Sequence, residues 1–346
     1  MDLNNLEEIK KLDPKNVYES TGMLAKQCEE IWDQLGNFIF PENYKDVKNI
    51  IICGMGGSAY GGHVALSAFK ESLKIPLVVN NNYHLPAFAD KDSLVVLVSY
   101  SGSTEEILSC ASEALEKQCK ITTLTSGGKL EEFVKNNNLP SVIFTPTHNP
   151  SGQPRLGTGY IVLGTLGILA RIGLINLTEA DVLESIEYLD KSQETVKKNA
   201  QEIAAKLVNH IPVIIAAEFL DGNAHIIRNQ FNETSKSFSA FEDIPELNHH
   251  LMEGLQNPAG HKLKVLFINS NSYPDIIKKR IELTKDVIGK NKLEYLEYMV
   301  EDSHNVAQVF NTLSFGGYVT LYLALLYGLD PSLIPWVDYF KENLNK

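Results

Sequence analysis

The sequence has few cysteines and few basic residues, and each shortage excludes a class of protein. Only four cysteines occur in 346 residues, without C-x-x-C spacing. This predicts reduced thiols in a reducing compartment and no disulfide or zinc framework. The 31 Lys and Arg against 43 Asp and Glu give a net charge of −12, and no run of five basic residues occurs. Nucleic-acid binding, which needs a cationic surface, is therefore not expected.

Long apolar runs are also absent. The longest candidate, Tyr160–Ile175, is interrupted by glycines and by Arg171. No run of 18 apolar residues exists, so no membrane span is expected. The N-terminal stretch MDLNNLEEIKKLDPKN is too polar for a signal peptide. The sequence predicts a soluble, cytoplasmic protein with no membrane partner.

Short β-branched runs alternate with helix-like stretches in two series. The runs are Asn49–Cys53, Ile75–Val79, Leu94–Ser99, Ile121–Thr125 and Val142–Thr145, then Val213–Ala217, Val265–Ile268 and Leu293–Met299. They are continuously apolar instead of alternating, which is typical of parallel sheets covered on both faces. The sequence predicts an α/β fold with two doubly wound parallel-sheet domains and flanking helices.

The predicted organisation has four parts. An N-terminal helical segment covers residues 1–45, a first sheet domain 46–176, a bridging helix 177–205 and a second sheet domain 206–346. Two long apolar helices are predicted, at Gly157–Leu174 and Val306–Leu326, and a short helix at Pro335–Lys346 ends the chain.

A glycine-rich turn follows the first predicted strand. Gly54–Ala59 fits the dinucleotide pattern G-x-G-x-x-A, but the second strand ends in Asn80–Asn82, without the acid that holds ribose hydroxyls. A nicotinamide site is therefore disfavoured. Small residues still let backbone amides approach an anion, and Ser58 adds a hydroxyl at the positive end of a helix. The alternative is that the glycines only permit a tight turn.

A second polar turn, Ser99–Glu105, ends another predicted parallel strand and begins another helix. Because ligands of open parallel sheets bind beyond the carboxyl ends of the strands, the two turns should lie side by side. Ser58, Ser99, Ser101 and Thr104 would then form a cage for one phosphate. If Thr104 were only a helix N-cap, one hydroxyl would be explained but not the cluster.

These two loops resemble the paired phosphate loops of the sugar isomerase (SIS) family. Four further segments resemble its bifunctional phosphoglucose/phosphomannose isomerase branch, so that the likeness extends from about Lys48 to Lys341. The segments are Pro154-Arg155, Asn229–Glu233, Pro245–His250 and Pro335…Lys341. The resemblance implies reversible conversion of glucose 6-phosphate to fructose 6-phosphate through a cis-enediol.

The resemblance also assigns roles within the predicted site. Gly57 and the hydroxyl cluster would bind the phosphate. Glu233 would be the base, since a partly desolvated carboxylate can carry a proton between C1 and C2. His249 would move a proton at the ring oxygen, a task that suits an imidazole, although the residues alone do not distinguish it from His250. Lys341 would assist ring opening.

Arg155 would offer a charged planar fork to a phosphate or to enediolate oxygens. Without the resemblance, Arg155 could equally form a surface salt bridge. The other three catalytic candidates would ordinarily be solvated surface residues. In the family, two subunits pair and the histidine reaches the partner's active site, so a homodimer is expected.

No cofactor and no metal are expected. Enediol chemistry needs no redox cofactor, and the nine histidines show neither H-E-x-x-H nor H-x-H spacing. Where the bifunctional branch commonly has a threonine, this chain has Ile334, which cannot hydrogen-bond a substrate. Glucose 6-phosphate is therefore the expected aldose, and mannose 6-phosphate is left open. The alternative is a non-catalytic phosphosugar sensor, which would need the loops but neither Glu233 nor His249.

Overall fold

Two parallel sheets with helices on their faces organise the chain. The structure is a computed structural model that describes residues 1–36, 38–302 and 304–344. Its first half has helices α1 (Leu6–Leu12), α2 (Val17–Gly22), α3 (Leu24–Leu35), α4 (Tyr60–Ala68), α5 (Glu105–Glu116), α6 (Gly128–Asn136), α7 (Thr158–Ile172) and α8 (Glu179–Leu207). Its strands are β1 (Asn49–Cys53), β2 (Leu77–Asn80), β3 (Ser93–Ser99), β4 (Lys120–Thr125) and β5 (Ser141–Ile143).

The second half repeats the strand–helix alternation. Its strands are β6 (Ile211–Ala217), β7 (Ala240–Ile244), β8 (Leu263–Ser270) and β9 (Tyr295–Val300). Its helices are α9 (Asp221–Glu233), α10 (Leu251–Gly254), α11 (Asp275–Lys290), α12 (Asn305–Leu326) and α13 (Pro335–Leu344).

The strand order places the loops that matter for function. It is β2-β1-β3-β4-β5 in the first sheet and β7-β6-β8-β9 in the second, and all pairs are parallel. Every residue of β3 is buried, as expected for a central strand covered on both faces. The predicted α/β class with two parallel sheets is confirmed.

Glycines let α3 pack closely on the apolar helix α7. A Cβ atom on Gly159 would lie 2.6 Å from Cβ of Gln27, and one on Gly167 would lie 2.4 Å from Cδ1 of Leu35. Larger residues would separate the two helices and open the core between them. Helix α3 thereby covers part of the first sheet domain, whereas α2 packs against α12 of the second half.

Helix α12 is long and apolar enough to cross a bilayer, the one such helix in the described part of the chain. However, 89% of its apolar window is buried inside the protein. It packs against α8 and α9. That burial is typical of the core helix of a globular protein.

Strand β7, helix α6 and the four-residue helix α10 were not predicted. Strand β7 was missed because its sequence, AFEDI, carries two acids, which an edge strand tolerates. Helix α6 was also missed, since its start, Gly127-Gly128, is typical of a turn. The predicted tail helix is present up to Leu344, and its last two residues lie outside the described residues. The domain boundaries stay predictions.

Candidate active site

The two phosphate-type loops meet at the carboxyl edge of the first sheet. Strands β1 and β3 are neighbours, with Cys53 in register with Leu97. The loops that follow them therefore start side by side. The backbone N–H of Tyr100 donates to Oγ of Ser58 over 3.2 Å, so the predicted adjacency is present in atomic contact.

The hydroxyl groups of the second loop form a pair. Oγ of Ser99 and Oγ1 of Thr104 lie 2.9 Å apart. Thr104 occupies the N-cap position of α5, but its side chain makes no capping hydrogen bond. The N-cap alternative therefore does not account for this hydroxyl. Ser101 is exposed, and its Oγ accepts only a long 3.4 Å hydrogen bond from N–H of Ser103.

A third loop, which the sequence analysis missed, supports this turn. Gly102 has φ +65°, and a Cβ atom on it would lie 1.7 Å from the carbonyl oxygen of Gly127. N–H of Leu130 also donates to the Gly102 carbonyl over 2.8 Å. The signal was Ser126-Gly127-Gly128 at a strand end. The contact fixes the conformation of the Ser101–Ser103 turn.

Arg155 lies in the 3₁₀ turn Pro154–Leu156, packed against the first loop. Its Cα lies 3.4 Å from where a Cβ atom on Gly57 would be, which is an ordinary van der Waals distance, so the two turns lie in contact. The residue is 7% exposed, which shows that the surface salt-bridge interpretation is wrong. Nη2 donates to the carbonyls of Pro331 (3.0 Å) and Ser332 (2.8 Å).

The other guanidinium nitrogen faces the predicted base. Nη1 of Arg155 donates to Oε1 of Gln153 over 3.0 Å and lies 3.7 Å from Oε1 of Glu233. Glu233 is the last residue of α9, from the second half of the chain. The site is thus built between the carboxyl edge of the first sheet and the end of a helix of the second.

The Glu233 carboxyl is in an environment that suits a proton acceptor. Burial raises its pKa above the usual glutamate value, and the charges of Arg155, Lys341 and Lys236 oppose that rise. Its side chain is nevertheless 30% exposed, so a ligand can reach it. The solvated-surface interpretation of Glu233 therefore does not hold. Lys341, on α13, is exposed and close enough to Glu233 for its charge to act on the carboxylate.

His249 does not lie among the residues that surround Glu233. It is exposed, in the 3₁₀ turn Glu246–His249 beyond the carboxyl end of β7. Glu233 ends α9, which runs back from the carboxyl end of β6 to the amino end of β7. The five residues of β7 separate these levels by about 16 Å at 3.3 Å per residue. No contact between His249 and Glu233 is found among the described residues of one chain.

Two family models match this chain. The SIS domain model matches residues 43–145, and the model described as the bacterial phospho-glucose isomerase C-terminal SIS domain matches residues 196–344. A bifunctional phosphoglucose/phosphomannose isomerase from Caldicellulosiruptor bescii is 32% identical over 348 residues, covering 95% of this chain and 98% of the relative. The chain belongs to the bifunctional phosphoglucose/phosphomannose isomerase family.

A second relative and a solved structure are also similar to this chain over most of its length. The family member from Aquifex aeolicus is 30% identical over 92% of this chain and 99% of its own. A hypothetical protein from Thermus thermophilus superposes with a TM-score of 0.75 at 16% identity, covering 98% of this chain and 93% of that one. The curated relatives are named as enzymes, so they support an isomerase and lend nothing to the sensor alternative.

The site of this isomerase family member contains two residues that the sequence analysis did not single out. The Tyr60 side chain is 1% exposed, and its hydroxyl group has no hydrogen-bond partner in the described structure. Burial raises its pKa, and the nearby Glu233 charge adds to that effect. Lys236 lies three residues beyond Glu233, and its charge acts on the Glu233 carboxyl. Neither residue has a sequence signal, because a lone Tyr or Lys beside a helix end is common.

Proposed function

We propose that this chain reversibly converts glucose 6-phosphate to fructose 6-phosphate by ring opening and a cis-enediol proton transfer. The observation that carries the proposal is the Glu233 carboxyl, partly buried with a raised pKa and 3.7 Å from Arg155, beside two hydroxyl-rich loops. A base, a cation and an anion cradle are the parts that aldose–ketose isomerisation requires.

The phosphate is held at the first sheet. The proposed phosphate site lies where the two loops meet and is formed by Gly57, Ser58, Ser99, Ser101 and Thr104. The N-terminal amides of the 12-residue helix α5 add positive potential. The exposed Ser101 and the long Ser103 contact leave hydrogen-bonding capacity for an anion.

Glu233 moves the proton between C1 and C2. Its raised pKa brings a carboxylate nearer to the basicity that proton abstraction next to a carbonyl needs. The adjacent Arg155 guanidinium stabilises the negative charge that develops on the enediol oxygens. Lys341 acts at the ring oxygen end of the sugar.

His249 reaches the sugar from a second subunit. The distance between His249 and Glu233 within one chain supports exchange of the His249 turn between two copies of this chain. In a two-fold dimer each subunit gives and receives the same turn, so both sites are completed together. The amide of Asn248 donates to Oγ1 of Thr284 (2.8 Å), and Nη1 of Arg280 donates to Oδ1 of Asn248 (3.1 Å), which fixes the turn on α11.

Mannose 6-phosphate is the second aldose of the proposal, because the relatives are named for both activities. Ile334, directly before α13, supplies no hydrogen bond to the mannose epimer. We therefore expect a higher kcat/KM for glucose 6-phosphate than for mannose 6-phosphate.

A coupled assay tests the function. Fructose 6-phosphate formation is measured from each aldose phosphate, without added metal and then with EDTA. Turnover of glucose 6-phosphate that EDTA leaves unchanged is expected. No turnover of glucose 6-phosphate in either condition would refute the proposal and favour a phosphosugar-binding module.

A further inference from the structure

The amine of Lys236 donates to three backbone carbonyls, although the residue as a whole is exposed. Nζ donates to the carbonyl oxygens of Thr234 (3.0 Å), Asp330 (3.0 Å) and Pro331 (3.3 Å). The first of these follows Glu233 directly, while the other two belong to the segment that leads to α13. One ammonium group therefore connects the catalytic end of α9 with the C-terminal segment.

Arg155 holds the same segment from the first sheet domain. Its Nη2 donates to the carbonyls of Pro331 and Ser332. Three consecutive carbonyls, those of residues 330–332, are thus bound by two cations. Ser332 is only 4% exposed, and both its N–H and its Oγ donate to Oδ1 of Asp330, so the segment is compact.

Helix α13 depends on this attachment. It starts at Pro335, three residues after Ser332, and none of its described residues is buried. Trp336, Tyr339 and Phe340 are 81%, 63% and 61% exposed. Because the helix buries so little of its own surface, its placement within one chain is fixed mainly at its N-terminal end.

We propose that Lys236 is a positioning residue which, together with Arg155, clamps residues 330–332 and so places Lys341 beside Glu233. The inference rests on the proposed function for its kinetic consequence, but the clamp itself is a separate structural claim. Lys236 need not touch the sugar, because it acts mainly through the position of Lys341, while its charge adds to those that oppose the rise in the Glu233 pKa.

The surroundings of Lys236 make its charged form less favourable than that of a lysine in water. Burial and then the charge of Arg155 lower its pKa to about 8, while Asp330 and Glu233 oppose that shift. These are the charged groups that face the amine. Above about pH 8 the ammonium loses its charge and its strongest hydrogen bonds, so kcat should fall there. An arginine keeps its charge and should move that fall to higher pH.

The test compares Lys236→Met, Lys341→Met and the double variant in the glucose 6-phosphate assay. We expect Lys236→Met to lower kcat at least tenfold, and Lys236→Arg to recover most of the loss. In the Lys341→Met background, Lys236→Met should change kcat less than twofold, because coupled residues are not additive. Effects that multiply, or a Lys236→Met enzyme with native kcat, would overturn the proposal.

A matched control separates positioning from general stability. Lys264 is a buried lysine whose Nζ donates to a backbone carbonyl, that of Lys206 (2.9 Å), and lies 2.7 Å from Oε2 of Glu294. It has no hydrogen bond to residues 330–332 among those found in the described chain. Lys264→Met should lower Tm but leave kcat within twofold.

Hydrogen exchange tests the clamp without reference to catalysis. Lys236→Met should exchange amide hydrogens faster over residues 330–344 than the parent, while Lys264→Met should not. Lys236→Arg gives the same comparison if the methionine variant does not fold, with near-parental exchange expected at pH 7 and slower exchange than the parent at pH 9. Unchanged exchange in Lys236→Met, or equal exchange of parent and arginine variant at pH 9, would refute the clamp. A parent without isomerase activity would refute only the proposed function.

Discussion

Nη1 of Arg155 lies 3.7 Å from Oε1 of Glu233, and this contact joins the two halves of the chain. Arg155 belongs to the turn before α7, and Glu233 ends α9 of the second half. Because the turn of Arg155 packs against the loop of the candidate phosphate site, the contact would set the distance between a phosphate bound there and the proposed base.

Replacement of Glu233 by Gln is the direct test of the base. Gln keeps the size and polarity but accepts no proton, so kcat should fall by about 10²–10⁴ while KM changes little. Glu132→Gln, at an exposed glutamate on α6, is the control and should behave as the parent. A Glu233→Gln enzyme with near-native kcat would exclude Glu233 as the base.

The pH profile of kcat gives a second measure of Glu233. The base acts in its ionised form, and burial raises its pKa. The rate should therefore fall as the pH falls through a value above the usual glutamate pKa of about 4.3. A kcat that is flat down to pH 4 would contradict this assignment.

The phosphate cage predicts changes in KM. Loss of one hydroxyl in Ser58→Ala, Ser99→Ala or Thr104→Ala should cost ~1–2 kcal/mol, or about 5- to 30-fold in KM, with little change in kcat. Ser112→Ala, at an exposed serine on α5, should leave KM unchanged. Inorganic phosphate should compete with substrate.

The Ser99–Thr104 hydroxyl pair allows a test of whether the two hydroxyl groups bind the same phosphate. These oxygens lie 2.9 Å apart, so the double alanine variant should differ from the product of the single effects. Purely multiplicative effects and no competition by inorganic phosphate would argue against a shared anion site.

The sequence predicted the contacts between loops that follow neighbouring strands better than the contacts between the two halves of the chain. The phosphate loops follow buried strands and carry their glycine and hydroxyl residues in one short stretch, so parallel-sheet topology alone places them together. The contact between Arg155 and Glu233 depends on how the two sheet-containing halves pack against each other. No pattern in the sequence between the two residues predicts that packing. Only the family resemblance indicated both residues.

Contacts of a side chain with backbone carbonyls are even harder to predict from the sequence. Lys236 binds three carbonyls, and every residue has a carbonyl, so no partner residue type marks the interaction. Strand β7 was missed for a related reason. Glu242 and Asp243 are half-buried on an edge strand, where their polarity hides the apolar pattern of a strand.

A stacked histidine pair predicts acid sensitivity of the fold. The rings of His63 on α4 and His225 on α9 lie 3.9 Å apart, and Arg228 Nη2 lies 3.0 Å from His225 Nε2. Burial lowers the pKa of His63 to about 4 and that of His225 to about 3. Since histidines of the unfolded chain protonate near the ordinary pKa of about 6.5, stability should be complete above that pH and decrease as the pH falls towards 4.

The size of this effect can be measured by urea unfolding at pH 7.5 and pH 5. Each neutral imidazole should contribute up to about 2 kcal/mol of lost stability at pH 5. His63→Gln should show a smaller loss between the two pH values, although it can be less stable than the parent at both. His210→Gln, at a histidine outside this pair, should show the parental loss. Equal losses in His63→Gln and the parent would mean that His63 is not the source.

Subunit mixing decides whether His249 acts in the partner's site. Glu233→Gln and His249→Ala proteins, each inactive, are combined under conditions that exchange subunits. If His249 acts across the dimer, each mixed dimer has one site with Glu233 from one chain and His249 from the other. Random exchange makes half of the dimers mixed, so about a quarter of the native activity should return.

The opposite arrangement gives a different result. If His249 served its own chain, each site of a mixed dimer would lack one of the two groups. Activity would then stay as low as that of the Glu233→Gln and His249→Ala proteins. Confirmed exchange, for example by native mass spectrometry of isotope-labelled chains, is required for that result to count. The separation of about 16 Å along β7 between the levels of His249 and Glu233 favours recovery, because no side chain spans that distance within one subunit.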